Sequence, residues 1–411
     1  SDVYKRQEYE PRHSIRKYET LVPDNEDGDE STEHDAALKL LEEALGDIPR
    51  AEGLHQPASK SRVDGPFHWI PRYNHTSWKE AQRMSMSMAR TTKPPGASAA
   101  PPMSSTPSGA DGEPVLALRD SLLLSQRSST IARQMGMIER ELMAGIDWSE
   151  LSEPSWDQHT VRQEQWQLEY QDYVMFRIRQ TMNDEPSEGQ KDALRQTIHG
   201  RGIHMLIARF NRTCAWVASH IVRSNNIQER VAIVNKFIRI AWHCYRQGNM
   251  ESLCQIMFGL QSPWIARLQQ TWEQVSLWEL RAFEALRRFT SPREQFAFLR
   301  YSMREAIETN IPSRRFSPLT TSSSPYVPFF GQFVSDLSAI DSLASFVDAS
   351  GMPNTMPLYD DQELSLSWDA LVNVYRLRIK SHIVREFITL QRCQRQAPAP
   401  PMELPILIEV L

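Results

Sequence analysis

Any chemistry in this chain would have to come from its 11 histidines, its four cysteines or suitably spaced carboxylates. General acid–base, nucleophilic and metal-assisted mechanisms draw on those groups. The spacings fit none of them. Cys214, Cys244, Cys254 and Cys393 form no C-x-x-C pair and no cysteine–histidine pattern, so they read as reduced thiols. His199, His204 and His243 lack ligand spacing. No G-x-x-x-x-G-K-[ST] loop, G-x-S-x-G elbow or H-E-x-x-H helix occurs. The acidic run DNEDGDE at 24–30 fails the calcium-loop pattern and reads as solvated linker. The expectation is therefore no catalytic residues, no metal and no cofactor.

What the residues specify densely is helix. Residues 210–272 carry FNRTCAWVASHIV, ERVAIVNKFIRIAWHC and NMESLCQIMFGLQSPWIARLQQTW, and none of the 26 prolines falls between Pro186 and Pro263. A closely specified block without reactive groups argues for a surface that grips another protein. Composition agrees: 411 residues, 40% hydrophobic and 24% charged, suffice for a sizeable core. A formal net charge of −5 makes nucleic acid an unexpected partner. No apolar run reaches the roughly 18 residues that suggest a membrane span, and no signal peptide is recognisable. A cytoplasmic protein is expected, with recruitment to a membrane surface or cell cortex left open. The opening SDVYKRQ has no initiator Met, and the chain is read as a fragment of something longer.

Organisation follows from proline and periodicity. Residues 1–125 hold the acidic run and the low-complexity stretch TTKPPGASAAPPMSSTPSGADGEP, so a mostly disordered arm is expected there. Its one exception is HDAALKLLEEALGD at 34–47, where Leu38, Leu41 and Leu45 predict a single amphipathic helix. Order begins near Ser128, with Ser128 or Ser129 as N-cap and Ile131, Met135, Ile138, Leu142 and Ile146 at helical spacing. Further helices are predicted over 164–182, 204–222, 229–245, 251–260, 276–288, 292–308 and 364–394, with Gly248 ending one and Pro263 starting another. No strand pair is expected. The class is all-α, with an ordered domain over 126–395 and a Pro-rich, apolar tail at 396–411.

These segments, in this order, resemble the catalytic domain of guanine-nucleotide exchange factors for Ras-type GTPases. IARQMGMIERELMAGIDWSEL is similar to the family's opening helix, FNRTCAWVASHIV to its "FN-x-x-S-x-W-V" helix, and GLQSPWIARLQQTW to its "G-L-x-S-x-x-V-x-R-L-x-x-T-W" step. PYVPFFGQFVSDLSAID at 325–341 resembles the start of its helical hairpin, and LVNVYRLRIKSHIVREFITLQ at 371–391 the closing helix. GLQSPWIARL followed by the FTSP step is similar to fungal members of the mitotic-exit type. The resemblance implies a helical bowl with a protruding hairpin, which binds the nucleotide-free GTPase and promotes GDP release by opening switch I while holding switch II. It implies a Ras-family small GTPase as partner.

The resemblance also assigns positions. Trp216, Gln261, Ala266, Arg267 and Glu273 fall on the switch II surface. Glu294, Gln295, Phe296 and Arg300 fall on the loop and helix of the nucleotide side. Phe329, Gly331, Ser335, Asp336, Ser338 and Ser342 fall on the first hairpin helix, with Asp341 as the acid nearest the place where relatives carry an acidic pair. Beside this stands a plainer reading: Trp216, Trp272, Phe237 and Phe296 as core, Arg267 and Arg300 as structural ion pairs, and Asn249 and Asn373 as helix-end residues. Ser338 and Ser342 depart from the family's apolar and acidic hairpin positions. A pseudo-exchange module that binds a GTPase without releasing nucleotide is therefore kept beside the exchange factor.

Overall fold

The computed structural model describes residues 28–47, 123–152, 163–182, 201–292, 295–309, 325–353 and 371–396, with Gly189 and Asp192. Most of the expected arm, residues 310–324 and 364–370 and the tail lie outside the described residues. The helices run in chain order: α1 Gly28–Asp47, α2 Ser128–Ala144, α3 Trp148–Ser152, α4 Gln163–Met182, α5 Gly202–Arg223, α6 Ile227–Arg246 and α7 Met250–Leu260. Then come α8 Pro263–Ala266, α9 Gln269–Trp272, α10 Leu277–Phe289, α11 Ala297–Thr309, α12 Phe330–Asp341 and α13 Val374–Gln396.

Helix α7 is the axis of the fold. Every one of its residues is buried, and α2, α5, α6, α8 and α10 pack around it. Burying Leu253, Ile256, Met257, Phe258 and Leu260, each 0–1% exposed, stabilises by about 1.5–3 kcal/mol per side chain. Surface ion pairs contribute about 0–1 kcal/mol each, so the apolar interior decides the fold. Gly259 lets α5 approach: a Cβ there would stand 2.9 Å from Val217 Cβ and 3.0 Å from the Cys214 carbonyl oxygen. Helix α6 stops at Gly248, whose φ of 72° suits glycine. Asn249 then caps α7 by accepting from the Ser252 amide at 3.1 Å.

The predicted stripes are buried as their period requires. Ile131, Met135, Ile138, Leu142 and Ile146 are 0–3% exposed, and Val234, Phe237, Ile238, Ala241, Cys244 and Tyr245 are 0–1%. The four cysteines are unpaired with one another, and burial raises the Cys214, Cys244 and Cys254 thiols above their ordinary range. Three expectations change. The first helix is capped by Arg127, with Ser128 already helical and buried and no side-chain cap bond. The approaching chain is held by Leu123 and Leu124 in the core and by Lys236 donating to the Gln126 carbonyl. A short antiparallel ribbon pairs β1, Phe346–Val347, with β2, Leu371–Val372, where only helix or loop was expected. Finally, the helix expected at 34–47 begins at Gly28 and lies against α10.

Beneath the apolar interior runs one polar network. Arg209 of α5 donates to Glu139 of α2 at 2.5 Å and to the Tyr170 hydroxyl of α4 at 2.9 Å. Gln255 of α7 donates to the same Glu139 oxygen at 3.0 Å. One turn away, Glu251 accepts the Phe330 amide at 2.7 Å, joining α7 to the start of α12. Both carboxylates and the guanidinium are 0% exposed. Burial, and after it the charge of Glu139, pushes the Glu251 carboxyl well above its ordinary value. The folded protein therefore keeps a proton on Glu251 at pH values where the unfolded chain has released it. That contribution to stability is complete below the unfolded value, ordinarily 4.5, and is lost as pH rises toward the folded value. Glu251→Gln keeps an acceptor for Phe330 and has no proton to lose. Thermal denaturation from pH 5 to 8 should show the variant more stable than the parent at pH 8, with the difference shrinking toward pH 5. Equal slopes would rule this account out.

Candidate functional site

Three groups of assigned residues occupy neighbouring segments of the chain. The first surrounds the end of α7. Gln261 is its C-cap and is buried, with its amide donating to the Met257 carbonyl at 2.9 Å. Pro263 at the first turn starts α8, a helix of 4 residues. Ala266 closes α8 and is buried, whereas Arg267 beside it is exposed. The Trp272 indole donates to the Ile265 carbonyl at 3.0 Å, binding α9 back onto α8. Its ring lies 4.8 Å from Phe283 of α10, so α10 supports this face from beneath. Glu273, the α9 C-cap, is exposed. Trp216 on α5 is half-buried, edge-on to Phe237 at 5.0 Å.

Arg267 makes no ion pair among the described residues, which leaves an exposed cation on the segment that also exposes Glu273. Trp264, half exposed at 50%, belongs to the same short segment and was missed in the sequence. The signal was there: a four-residue helix that begins with proline cannot bury all its neighbours.

The second group is the loop before α11. Gln295 and Phe296 both have positive φ, 57° and 63°, a backbone that costs non-glycine residues about 1–2 kcal/mol each. Phe296 is compensated by burial, its ring 5.2 Å from Phe329. Gln295 remains exposed, and its carbonyl accepts from Arg300 Nε at 2.5 Å. The same guanidinium grips Asp336 of α12 through two bonds of 2.5 and 2.6 Å. Arg300 is thus a structural ion pair, and it fastens the loop to the hairpin. Glu294 lies outside the described residues.

The third group is the hairpin, α12 and α13, joined at its far end by the β1–β2 ribbon. Phe329 is the N-cap of α12 and does not lie within the helix; it is fully buried among Phe210, Phe258 and Phe296, with centroids at 5.7, 6.0 and 5.2 Å. Gly331 is required beneath it, because a Cβ would fall 2.2 Å from the ring. Just upstream, Val327 is stitched to the α6–α7 turn, donating to the Gly248 carbonyl at 2.9 Å and accepting from the Met250 amide at 2.8 Å. Phe333 and Phe330 pack on Phe387 of α13.

Further along, Ser335 is exposed, Ser338 half-buried, and Ser342 exposed as the C-cap. Asp341 differs from its expected role as a presented charge. It accepts from Arg376 at 2.8 Å and Lys380 at 2.7 Å, both on α13, so its charge is spent within the hairpin. Asn373 caps α13, accepting from the Arg376 amide at 3.1 Å and donating to the Ala344 carbonyl at 2.9 Å. The hairpin end also exposes Leu371, Val372, Val374, Tyr375 and Leu377, each 51–68% exposed. Sequence reading did not single these out, because their period merges into that of the long helix.

Comparison with known proteins places this architecture. A RasGEF domain match covers residues 130–378. Guanine nucleotide exchange factor LTE1 of Kluyveromyces lactis is 26% identical over 216 residues, 53% of this chain and 13% of that protein. Ras guanine nucleotide exchange factor C of Dictyostelium discoideum is 31% identical over 132 residues, 32% of this chain and 8% of its own length. Human Rap guanine nucleotide exchange factor 5 is 36% identical over 94 residues, 23% of this chain and 16% of that protein. The chain thus spans a small part of each relative's length. It belongs to the RasGEF domain family. No described helix is long and apolar enough to cross a membrane.

Because Arg300 and Asp336 are only about a quarter exposed, removing one leaves the other partly desolvated. Arg300→Met should lower unfolding stability by about 1–3 kcal/mol, read as a shifted urea midpoint. Asp336→Asn, which leaves Arg300 its Gln295 contact, should cost less than Arg300→Met. The opposite order would contradict the clamp.

Proposed function

We propose that this chain acts as a guanine-nucleotide exchange factor: it binds a Ras-type small GTPase, prefers the nucleotide-free form, and opens switch I with the α12–α13 hairpin while the face formed by α5, α8 and α9 holds switch II. One observation carries the reading. The hairpin is fixed at its root to the body that presents the exposed 263–273 face, through Phe329, Glu251 and the Arg300–Asp336 pair. A lever of this kind transmits force between two contact surfaces only if its root does not yield.

The chemistry needs no bond-breaking group. A protein that binds the empty GTPase more tightly than the loaded one weakens nucleotide affinity by the same factor, since the coupling is reciprocal. Shifting a state from 1:99 to 99:1 takes about 5.5 kcal/mol of differential binding, which a standard protein interface with a few anchors can supply. Trp264, Arg267 and Glu273 are the exposed anchors on the switch II side. The names of the relatives support a Ras or Rap GTPase as the partner, and association with a membrane would follow through that GTPase.

A second reading rests on the hairpin end. With Asp341 neutralised by Arg376 and Lys380 and with serines at 338 and 342, α12 presents no unpaired carboxylate at those positions. This favours a module that binds a GTPase without releasing nucleotide. Fluorescent-GDP release from a panel of Ras, Rap and mitotic-exit GTPases separates the two. Exchange should accelerate for at least one member and fall about tenfold or more in Arg267→Ala with Glu273→Ala, exposed changes expected to alter stability by only about 0.5 kcal/mol. Stoichiometric binding without acceleration anywhere in the panel would favour the second reading.

A further inference from the structure

Helix α1 is far from the contact surfaces described above in sequence, yet its seat is closely built. It lies along the seam between α6 and α10, burying Ala37, Leu38, Leu41, Ala44 and Leu45 on one stripe. Its polar edges match the seam in charge. Glu33 pairs with Arg246 of α6 at 2.6 Å, and Glu42 forks onto Arg281 of α10 at 3.2 and 2.7 Å. Arg288 takes the Leu45 carbonyl at 3.1 Å, where a helix end has orphan acceptors. His34 accepts the Trp242 indole proton at 2.6 Å and meets Trp278 edge-on at 6.1 Å. In both of these ion pairs α1 supplies the acid and the body the base.

The opposite side of α10 carries Phe283, the support of Trp272, and Trp272 ties α9 to α8. Arg239 of α6 holds Glu279 of α10 at 2.7 Å and Asn235 holds Ser276 at 3.2 Å, so the two helices that α1 spans are also the walls of this region. We infer that the α6–α10 seam is a second docking site, selective for an acidic amphipathic helix, and that α1 occupies it as a brace that holds the α8–α9 face in its binding geometry. Residues 48–127 separate α1 from α2, so docking is an intramolecular binding step governed by effective concentration, and it can be competed in trans. This deepens the proposed exchange reading by assigning regulation to its switch II face, but the bracing itself is measurable without any GTPase.

The test uses the full chain with Leu38→Asp and Leu41→Asp, which undock α1. Hydrogen exchange should lose about tenfold or more of its protection over 263–289, and a synthetic peptide of residues 28–47 should restore it. Unchanged protection over 263–289 with α1 itself deprotected would overturn the inference. A milder pair guards against misfolding: Glu42→Arg should reduce protection there, and adding Arg281→Glu should recover it; no recovery would count against the charge-matched seat. Affinity for a nucleotide-free Ras-type GTPase should fall at least fivefold with the undocking pair. If the parent chain binds no GTPase, the exchange reading fails while the exchange-protection result still decides the brace.

Discussion

The buried pairing of Glu139 with Arg209 is the constraint to which the rest of the structure conforms. Desolvating these ions is costly, and the cost is offset only while both stay together. Further hydrogen bonds reach the pair from α4 through Tyr170 and from α7 through Gln255, so helices far apart in sequence converge on one point. On its own, burial would lower the Arg209 pKa; the neighbouring Glu139 and Tyr170 more than reverse that, and the guanidinium stays charged. Removing either ion would leave the other stranded, at a cost of about 3–5 kcal/mol. Apolar burial supplies most of the stability. Within the core the ion pair and its hydrogen bonds tie α2, α4, α5 and α7 together.

Glu251 extends that centre to the start of the hairpin. Burial, and after it the charge of Glu139, pushes this second carboxyl well above its ordinary value, and it accepts the first amide of α12. The hairpin therefore begins at a hydrogen bond inside the core. Arg300 repeats the theme nearer the surface, with one guanidinium serving a strained loop and a helix at once. In both places charge is spent on fixing relative positions.

Much of this could be read from the residues alone. The 3.6-residue period located α2, α4, α5, α6 and α10 because each buries a stripe against a single core, whereas α7 is buried on every side. Gly248 and Pro263 announced their breaks through backbone chemistry. What stayed hidden depends on distant partners. Nothing local distinguishes Asp341 as a presented charge from Asp341 between Arg376 and Lys380, which approach from beyond the ribbon. Phe329 looks like a contact residue until three other phenylalanines are brought around it. Gln295 and Phe296 carry no glycine or asparagine signal for their positive φ, since tertiary packing imposes it. The two-residue strands are too short to show alternation. The stripe on α1 was legible, but its seat was not.

Gly331 sets the rotational phase of α12. With the Phe329 ring folded over it, any side chain at this position would force the ring or the helix start to shift. Each residue of slip would turn the helix by about 100°, carrying Ser335, Ser338 and Ser342 around its axis and pulling Asp336 away from Arg300. Which residues α12 turns outward is therefore decided at its innermost end. A glycine buried under an aromatic ring works as the index mark of the whole hairpin.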